Sequence, residues 1–424
     1  MVGVGGHRLI SHAGWLFMVS RVAQRKNSSS QPVSEVVVSR RSMLKGLGVG
    51  GATVLVAGTG VVSYRVFDNG VLEAGSGEPY EAWVRWREDS GPLGMVAAAI
   101  LAANPHNIQP WLFHASPTMV DVFTDMSRSI ASLDPFDRER HVGLGCAVEN
   151  LVLAAGARGH QPTVTWLPDT ADRTHIARVT LVPGPVVQSS LYDAIGERHT
   201  NRGPYKGKPV PVGMLDALSA QITGLDGVSV RWFAEPDQKA ALGALIIEAT
   251  TAIVADDVQS RDGFAWFRNN RDDIDTHMDG LTLDGQGLDS VTLSLAKVLP
   301  ATSRGAGDAF WLDQTRTVHT ATAAAYGVIT VVNPDEPSQR LTGGRLLERI
   351  HLASAANGLA LHHMNQITEQ IDRERSLGEA ATFAPRLEQL LATPGRHGLV
   401  VFRIGYPVRP ARRSPRRPAA QVTR

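Results

Sequence analysis

The chain has 424 residues, 42 Lys and Arg against 41 Asp and Glu, and is 43% hydrophobic, which excludes a disordered chain and suits two related halves, each with a buried core. The charge is uneven: residues 1–62 carry +6 and residues 403–424 carry +7, which leaves −12 on 63–402. An acidic body with basic ends argues against a general nucleic-acid surface.

Near the N-terminus, Ser39-Arg40-Arg41 is followed by Leu44-Lys45 and then by seventeen uncharged residues, 46–62, rich in Gly and Ala. This resembles a twin-arginine export signal, which implies the twin-arginine translocase as a partner and an exported protein. As a helix the 46–62 segment spans roughly 25 Å, slightly short of a ~30 Å hydrocarbon core, so an uncleaved membrane anchor is the alternative. The "GLGVGG" within it has no strand before it and no acidic residue at the right distance after it, so it is not a dinucleotide fingerprint.

Residues 63–90 read as a linker and entry helix. Helical periodicity covers about 92–103, strands about 110–114 and 119–124 flank the turn "HASPT", and a long helix over about 137–159 ends at Gly156 and Gly159. This helix carries the one cysteine, Cys146; a single cysteine rules out an intramolecular disulfide and a cysteine-based metal cage, and its apolar setting makes it a core residue. A strand at about 176–182 closes a first half, 91–187. A second half, 188–410, holds helices at 188–198, 212–221 and 236–256, strands at 227–233, 326–332 and 398–405, and helices at 342–357 and 384–392. Within it, 260–318 is weakly periodic, polar and rich in Gly and Asp, with Phe264, Trp266, Phe267, Phe310 and Trp311. So long a segment reads as an irregular lid over a substrate face. Residues 411–424 form a basic tail. The expected class is α+β: two fused halves forming a pseudo-dimer around a mixed or antiparallel sheet core.

Three motifs carry chemistry. In "ANPHNIQPW" (103–111) side-chain amides crowd a helix-to-strand corner. Amides both donate and accept, which suits a ligand edge of alternating C=O and N–H groups. In "GERHTNRGPY" (196–205), Arg198, Thr200 and Arg202 alternate, so an extended chain would turn all three toward one dianionic phosphate. At the C-terminus, Gly405-Tyr406-Pro407 is followed by Arg412, Arg413, Arg416 and Arg417. His362-His363 lacks the carboxylate framework of a metal site, and no metal is expected.

These motifs together resemble the nitroreductase (FMN-dependent oxidoreductase) superfamily, and in particular its fused pseudo-dimer subgroup, the Acg-like proteins of mycobacteria. "ANPHNIQPW" is similar to the superfamily's APS-x-HN-x-QPW signature, 198–202 to its R-x-[ST]-x-R element, and Gly405–Pro407 with the tail arginines to its C-terminal strand. The resemblance implies FMN as cofactor. It assigns the ring edge to His106, Asn107, Gln109 and Pro110, with Trp111 behind them in the core. It assigns the phosphate to Arg198, Thr200, Arg202, Arg416 and Arg417, and the substrate face to Phe264, Trp266 and Phe267. Asn365, Gln366 and Thr368 fall where the superfamily approaches the flavin N5 side. Arg202 near the N1–O2 edge would stabilise reduced flavin. NAD(P)H or another reductant and a small organic electron acceptor would alternate in a ping-pong cycle without a catalytic acid or base, and a homodimer of pseudo-dimers is the expected assembly. The alternative is an exported FMN-sequestering protein with little reductase activity. One departure stands out: in ordinary members the R-x-[ST]-x-R element precedes HN-x-QPW, whereas here it follows, which implies one complete site and one that has decayed.

Overall fold

In the computed structural model, residues 70, 71 and 74–424 are described; the twin-arginine motif and the 46–62 segment lie outside them. Helix α1 (Gly91–Ala99) is apolar all round and buried, and runs into the corner at 104–110. Strands β1 (Trp111–Ser116) and β2 (Met119–Thr124) form a hairpin. Helix α2 (Arg138–Ala157) follows, then β3 (His160–Trp166) and β4 (His175–Pro183). These four strands make one antiparallel sheet in the order β1-β2-β4-β3. The sequence reading missed β3 because Pro162 interrupts it. Its position at the sheet edge explains why a residue without an N–H is tolerated there.

The second half contains α3 (Val212–Ser219), β5 (Val228–Phe233), α4 (Pro236–Ala255), α5 (Asp257–Phe264), β6 (Phe267–Arg268), α6 (Arg271–His277) and β7 (Leu281–Thr282). It continues with α7 (Ser290–Val298), α8 (Arg304–Gln314), β8 (Ala325–Val331), α9 (Pro337–Ala356), β9 (Ala360–His363), α10 (Gln366–Leu377), α11 (Phe383–Leu391) and β10 (His397–Gly405). A second antiparallel sheet runs β5-β8-β10-β9. The α+β class and the two halves expected from the sequence are therefore present, with both four-stranded sheets purely antiparallel; the only parallel pairing among the described strands is the two-residue β6-β7 ladder.

The expectation of an irregular lid over 260–318 is corrected. The segment folds into helices, and its polar residues are their caps. Asp256, Asn270, Asp289 and Ser303 each accept backbone N–H bonds in the first turn of α5, α6, α7 and α8. An N-cap contributes about 1 kcal/mol, so Asp and Ser that read as loop formers are helix starts.

The halves meet where α2 crosses α9. A Cβ on Gly145 would strike the Leu341 carbonyl, and one on Gly344 would strike the Val142 carbonyl. Glycine costs about 1 kcal/mol in a helix interior, and here it allows backbone-to-backbone contact. The Cys146 thiol, in the core as expected, donates to the Gly344 carbonyl at 3.2 Å, and Glu149 bridges Arg345 and Arg349 at 2.6 Å each. The basic tail is not loose: it returns to the first sheet, where the Arg424 N–H donates to the Phe113 carbonyl at 2.8 Å and Val422 is buried.

Candidate functional site

Three of the four residues His106, Asn107, Ile108 and Gln109 sit at positive φ: 46°, 56° and 51° for His106, Asn107 and Gln109. Such backbone is strained for residues with a side chain, by about 1–3 kcal/mol each, and persists only where its surroundings hold it. Here the side-chain amides do so. Asn107 Nδ2 donates to the Gly280 carbonyl at 3.1 Å and to the Pro415 carbonyl at 2.9 Å, while its Oδ1 accepts from Arg416. Gln109 Nε2 donates to the Met278 carbonyl at 2.8 Å, and its Oε1 accepts the Arg417 N–H at 2.9 Å. The Arg417 guanidinium returns to the Gln109 carbonyl at 2.7 Å.

Asn107, Gln109, Arg416 and Arg417 therefore bond one another and the 278–280 turn, and none of the four lines the cavity described below, where the resemblance had them grip a flavin. Pro110 is buried, its carbonyl accepting from Asp125. Trp111 is a core residue, as anticipated. Of the corner, only Asn104, Pro105 and His106 face the cavity described below.

The alternating motif at 198–202 divides in the same way. Arg198 is 2% exposed and turns into the interface between the halves. Its Nε lies 3.2 Å from Glu348 Oε1, Nη2 donates to the Leu101 carbonyl at 2.8 Å, and Nη1 meets His351 Nδ1 at 3.2 Å. A carboxylate from α9 thus occupies Arg198, and the two arginines do not converge. Thr200 and Arg202 do line the cavity.

That cavity measures about 1030 Å³, at the upper end of small-molecule sites. It lies between the start of α2, helices α4, α5, α7 and α8, and the β9–α10 turn. One end is cationic and imidazole-rich: Arg202, Arg409, His106, His319, His362 and His363. Arg202 Nη1 donates to the Gly285 carbonyl at 3.2 Å and has no ion pair among the described residues. Burial, and then Arg403, push its guanidinium down to about 10. Arg403, on β10 behind it, is fully buried and held by carbonyls of His319 and Gly203 and by His362. Because Arg403 Nε donates to His362 Nδ1 at 3.1 Å, that imidazole carries its proton on Nε2. Burial and these two arginines hold the histidines neutral. His106 is pushed to about 4 by burial and Arg202. His363 is pushed to about 3 by burial, Arg198 and Arg202, and its Nε2 has no partner. Part of the wall is aromatic, with Phe264, Phe267, Phe310 and Trp311; the Phe264 and Phe267 rings lie parallel, 6.2 Å apart. Trp266 does not belong to it. Its Nε1 donates to the Ser129 carbonyl at 2.9 Å, and Arg128 and Arg268 flank its ring at 5.4 Å.

Asn365 and Gln366 reach the cavity, whereas Thr368 bonds the Asn365 carbonyl instead. Sequence reasoning missed His319, Arg409, Gln259, Glu139 and Glu369, because no local pattern marks a residue whose neighbours come from other elements. Among the described residues no group of three or more His, Cys, Asp or Glu could hold a metal ion.

Fold and site thus define a two-half α+β protein with a ligand-sized cavity that is cationic at one end and aromatic along one wall. No protein-family model matches the sequence. The chain is 31% identical over 174 residues to "Putative NAD(P)H nitroreductase Rv3131" of Mycobacterium tuberculosis H37Rv, which covers 41% of this chain and 49% of that protein. It is 31% identical over 117 residues to "Putative NAD(P)H nitroreductase acg" of the same strain, covering 27% and 35%. The chain spans about half the length, or less, of the curated relatives it matches. Among solved structures, a nitroreductase with bound FMN from Desulfitobacterium hafniense aligns over 55% of this chain and 95% of its own, at 12% identity and a TM-score of 0.34. The NADPH:FMN oxidoreductase of Vibrio harveyi, complexed with NAD+, aligns over 56% and 76%, at 12% identity and a TM-score of 0.29.

Proposed function

We propose that the chain is an FMN-dependent NAD(P)H oxidoreductase of the nitroreductase superfamily, with its flavin in the 1030 Å³ cavity. The observation that carries this reading is the pair Arg202 and Arg403: a half-buried guanidinium on the cavity wall and a fully buried one behind it, neither with a carboxylate partner among the described residues, beside neutral imidazoles. Such an end is built for a phosphate. Charge-assisted hydrogen bonds contribute about 1.5–3 kcal/mol each, so three of them, from Arg202, Arg409 and an imidazole N–H or Thr200, approach the roughly 8 kcal/mol of micromolar binding. The residues present also fit the ring: Gln259 Nε2 and Gln366 Oε1 are buried, unpartnered and on the cavity wall, one donor and one acceptor beside an aromatic surface. Bound there, FMN supplies hydride acceptance and delivery. The protein's part is to hold the phosphate, exclude water with α5–α8 and leave room for the second substrate.

The test is spectroscopic. Purified protein should carry a flavin chromophore that NAD(P)H bleaches anaerobically and an organic acceptor restores. A colourless protein that takes up no FMN refutes the reading; a flavin that NAD(P)H leaves oxidised favours a sequestering protein instead. We read 39–62 as a twin-arginine signal: replacing Arg40 and Arg41 by Lys should abolish export, and export unchanged by that replacement removes the assignment.

A further inference from the structure

On the cavity wall, Glu139 in the first turn of α2 faces Glu369 on α10. Both are buried and both line the cavity, and the two carboxyl groups are close enough to act on each other, with Asn365 beside Glu139. Two carboxyl groups can hydrogen-bond only if one of them carries a proton. The surroundings enforce this. Asp134, in the turn before α2, accepts the Glu139 and Arg140 N–H groups at 3.0 and 2.9 Å, and burial raises its carboxyl too. Asp372 on α10 takes Arg138 Nε at 2.7 Å, which leaves that guanidinium 3.6 Å from Glu139 Oε1. Arg340 on α9 lies beyond Arg138, bonded to carbonyls of Phe136 and Pro334. Four carboxyl groups thus face one close guanidinium. Burial raises Glu139 to about 7, with Arg138 opposing and Asp134 reinforcing, and it raises Glu369 well above the usual carboxylate range.

A second observation shows that this part of the wall is shaped for a ligand. Gln370 Nε2 donates to Gln259 Oε1 at 2.6 Å, which fixes the Gln259 amide so that its Nε2 is left over. That donor and the Gln366 Oε1 acceptor are both buried on the cavity wall without a partner among the described residues. A stranded buried polar atom costs about 1–3 kcal/mol, and two beside the carboxyl pair call for a bound group.

We infer that Glu139 and Glu369 share one proton and donate it to a reducible oxygen, of the quinone-carbonyl class, held by Gln259. This rests on the flavin reading above. The acceptor takes one hydrogen with both electrons, as hydride from the reduced cofactor. The second hydrogen is the shared proton: a carboxyl O–H bond breaks as the acceptor O–H bond forms, the neutral hydroquinone leaves, and water returns a proton to the pair.

The test uses full-length protein and the variants Glu139→Gln and Glu369→Gln, each close in shape to the residue it replaces. Infrared spectra of the wild type at neutral pH should contain a protonated carboxyl band that either variant abolishes. In stopped flow, reoxidation of photoreduced protein by menadione should slow on the order of 100-fold in the variants, the usual scale of general-acid catalysis, and lose its solvent deuterium effect and its decline at high pH. Reoxidation by ferricyanide, which needs no proton, should fall far less. Menadione reoxidation at the wild-type rate in both variants, or a wild type without the carboxyl band, overturns the inference. A protein that takes up no flavin overturns both the functional reading and the donor role; persistence of the band then identifies the functional reading, not the shared proton, as the step that failed.

Discussion

Replacing Arg202 by Met keeps most of the side-chain volume and removes the charge. In the ligand-free protein that charge is a burden. Burial, chiefly, pulls its guanidinium down from the ordinary arginine range to about 10, which disfavours the charged form by up to about 3 kcal/mol. The substitution also removes one hydrogen bond, to the Gly285 carbonyl, worth about 1 kcal/mol. The apo variant should therefore unfold at the same denaturant concentration as the wild type, or at a higher one. With a phosphate present the sign reverses. Two charge-assisted bonds at about 1.5–3 kcal/mol each are lost, which weakens FMN binding by about 10²–10⁴-fold. Riboflavin has no phosphate, so its affinity should barely change. Fluorescence titration of both flavins against both proteins measures this: the preference for FMN over riboflavin should collapse in Arg202→Met. A preserved preference, or an apo variant less stable than the wild type by more than its lost hydrogen bond, would refute the phosphate role.

Three further outcomes follow from the fold and the titrating groups. Gly344→Ala should lose at least about 2 kcal/mol in denaturant melts, since its Cβ meets the Val142 backbone, which cannot yield as a side chain can, whereas Gly305→Ala, with open space around it, should be neutral or stabilising by up to ~1 kcal/mol; equal stability of the two variants contradicts the crossing described. Glu348→Gln should cost about 3–5 kcal/mol, because Arg198 is left buried without its carboxylate; a melt matching wild type shows that the ion pair at 3.2 Å is not what holds the interface. The pH dependence has two opposed parts: His106, His141, His199 and His363 are pushed to about 4, 4, 3 and 3, so their contribution is present above the ordinary value of 6.5 and is lost as pH falls toward 4, while Glu139, raised to about 7, contributes below 4.5 and loses that contribution as pH rises to 7. Wild type minus Glu139→Gln stability should therefore decline from pH 4.5 to 7, and a flat difference curve rejects the raised carboxyl.

How much of this was legible in the sequence depends on how far each residue's partners lie along the chain. The antiparallel hairpin at 111–124 and the α2 and α4 helices follow from local periodicity. The corner at 104–110 was also recognisable as unusual, since side-chain amides crowd a Pro-rich turn. Its purpose was not, because Gln109 bonds residues 169 and 308 positions away. Arg198 and Arg202 were read as equivalent from spacing alone, and only Glu348, 150 residues on, separates them. The capping residues of α5–α8 failed for another reason: Asp, Asn and Ser favour both loops and helix starts, and packing decides which. The carboxyl pair left no local signature, since Glu139 in "DRERH" and Glu369 in "ITEQ" look like ordinary surface helix residues.

The sign of a stability change divides the polar residues of this region into two kinds. Asn107, Gln109 and Arg416 have their partners inside the protein, so truncating any of them strands a buried donor or acceptor and must destabilise. Arg202, Glu139 and Gln259 carry charge or hydrogen-bonding capacity that the folded chain does not satisfy, so neutral, shape-conserving replacements should leave the ligand-free protein as stable or more so. Groups held unsatisfied at the expense of stability are characteristic of sites shaped for something else. The guanidinium and the carboxyl pair line one cavity and share this property, which suits a molecule that has an anionic group and also takes up a proton. Were Asn107→Ala neutral in a melt and Arg202→Met strongly destabilising, the roles would have to be exchanged: the corner would serve the ligand and the arginine the fold.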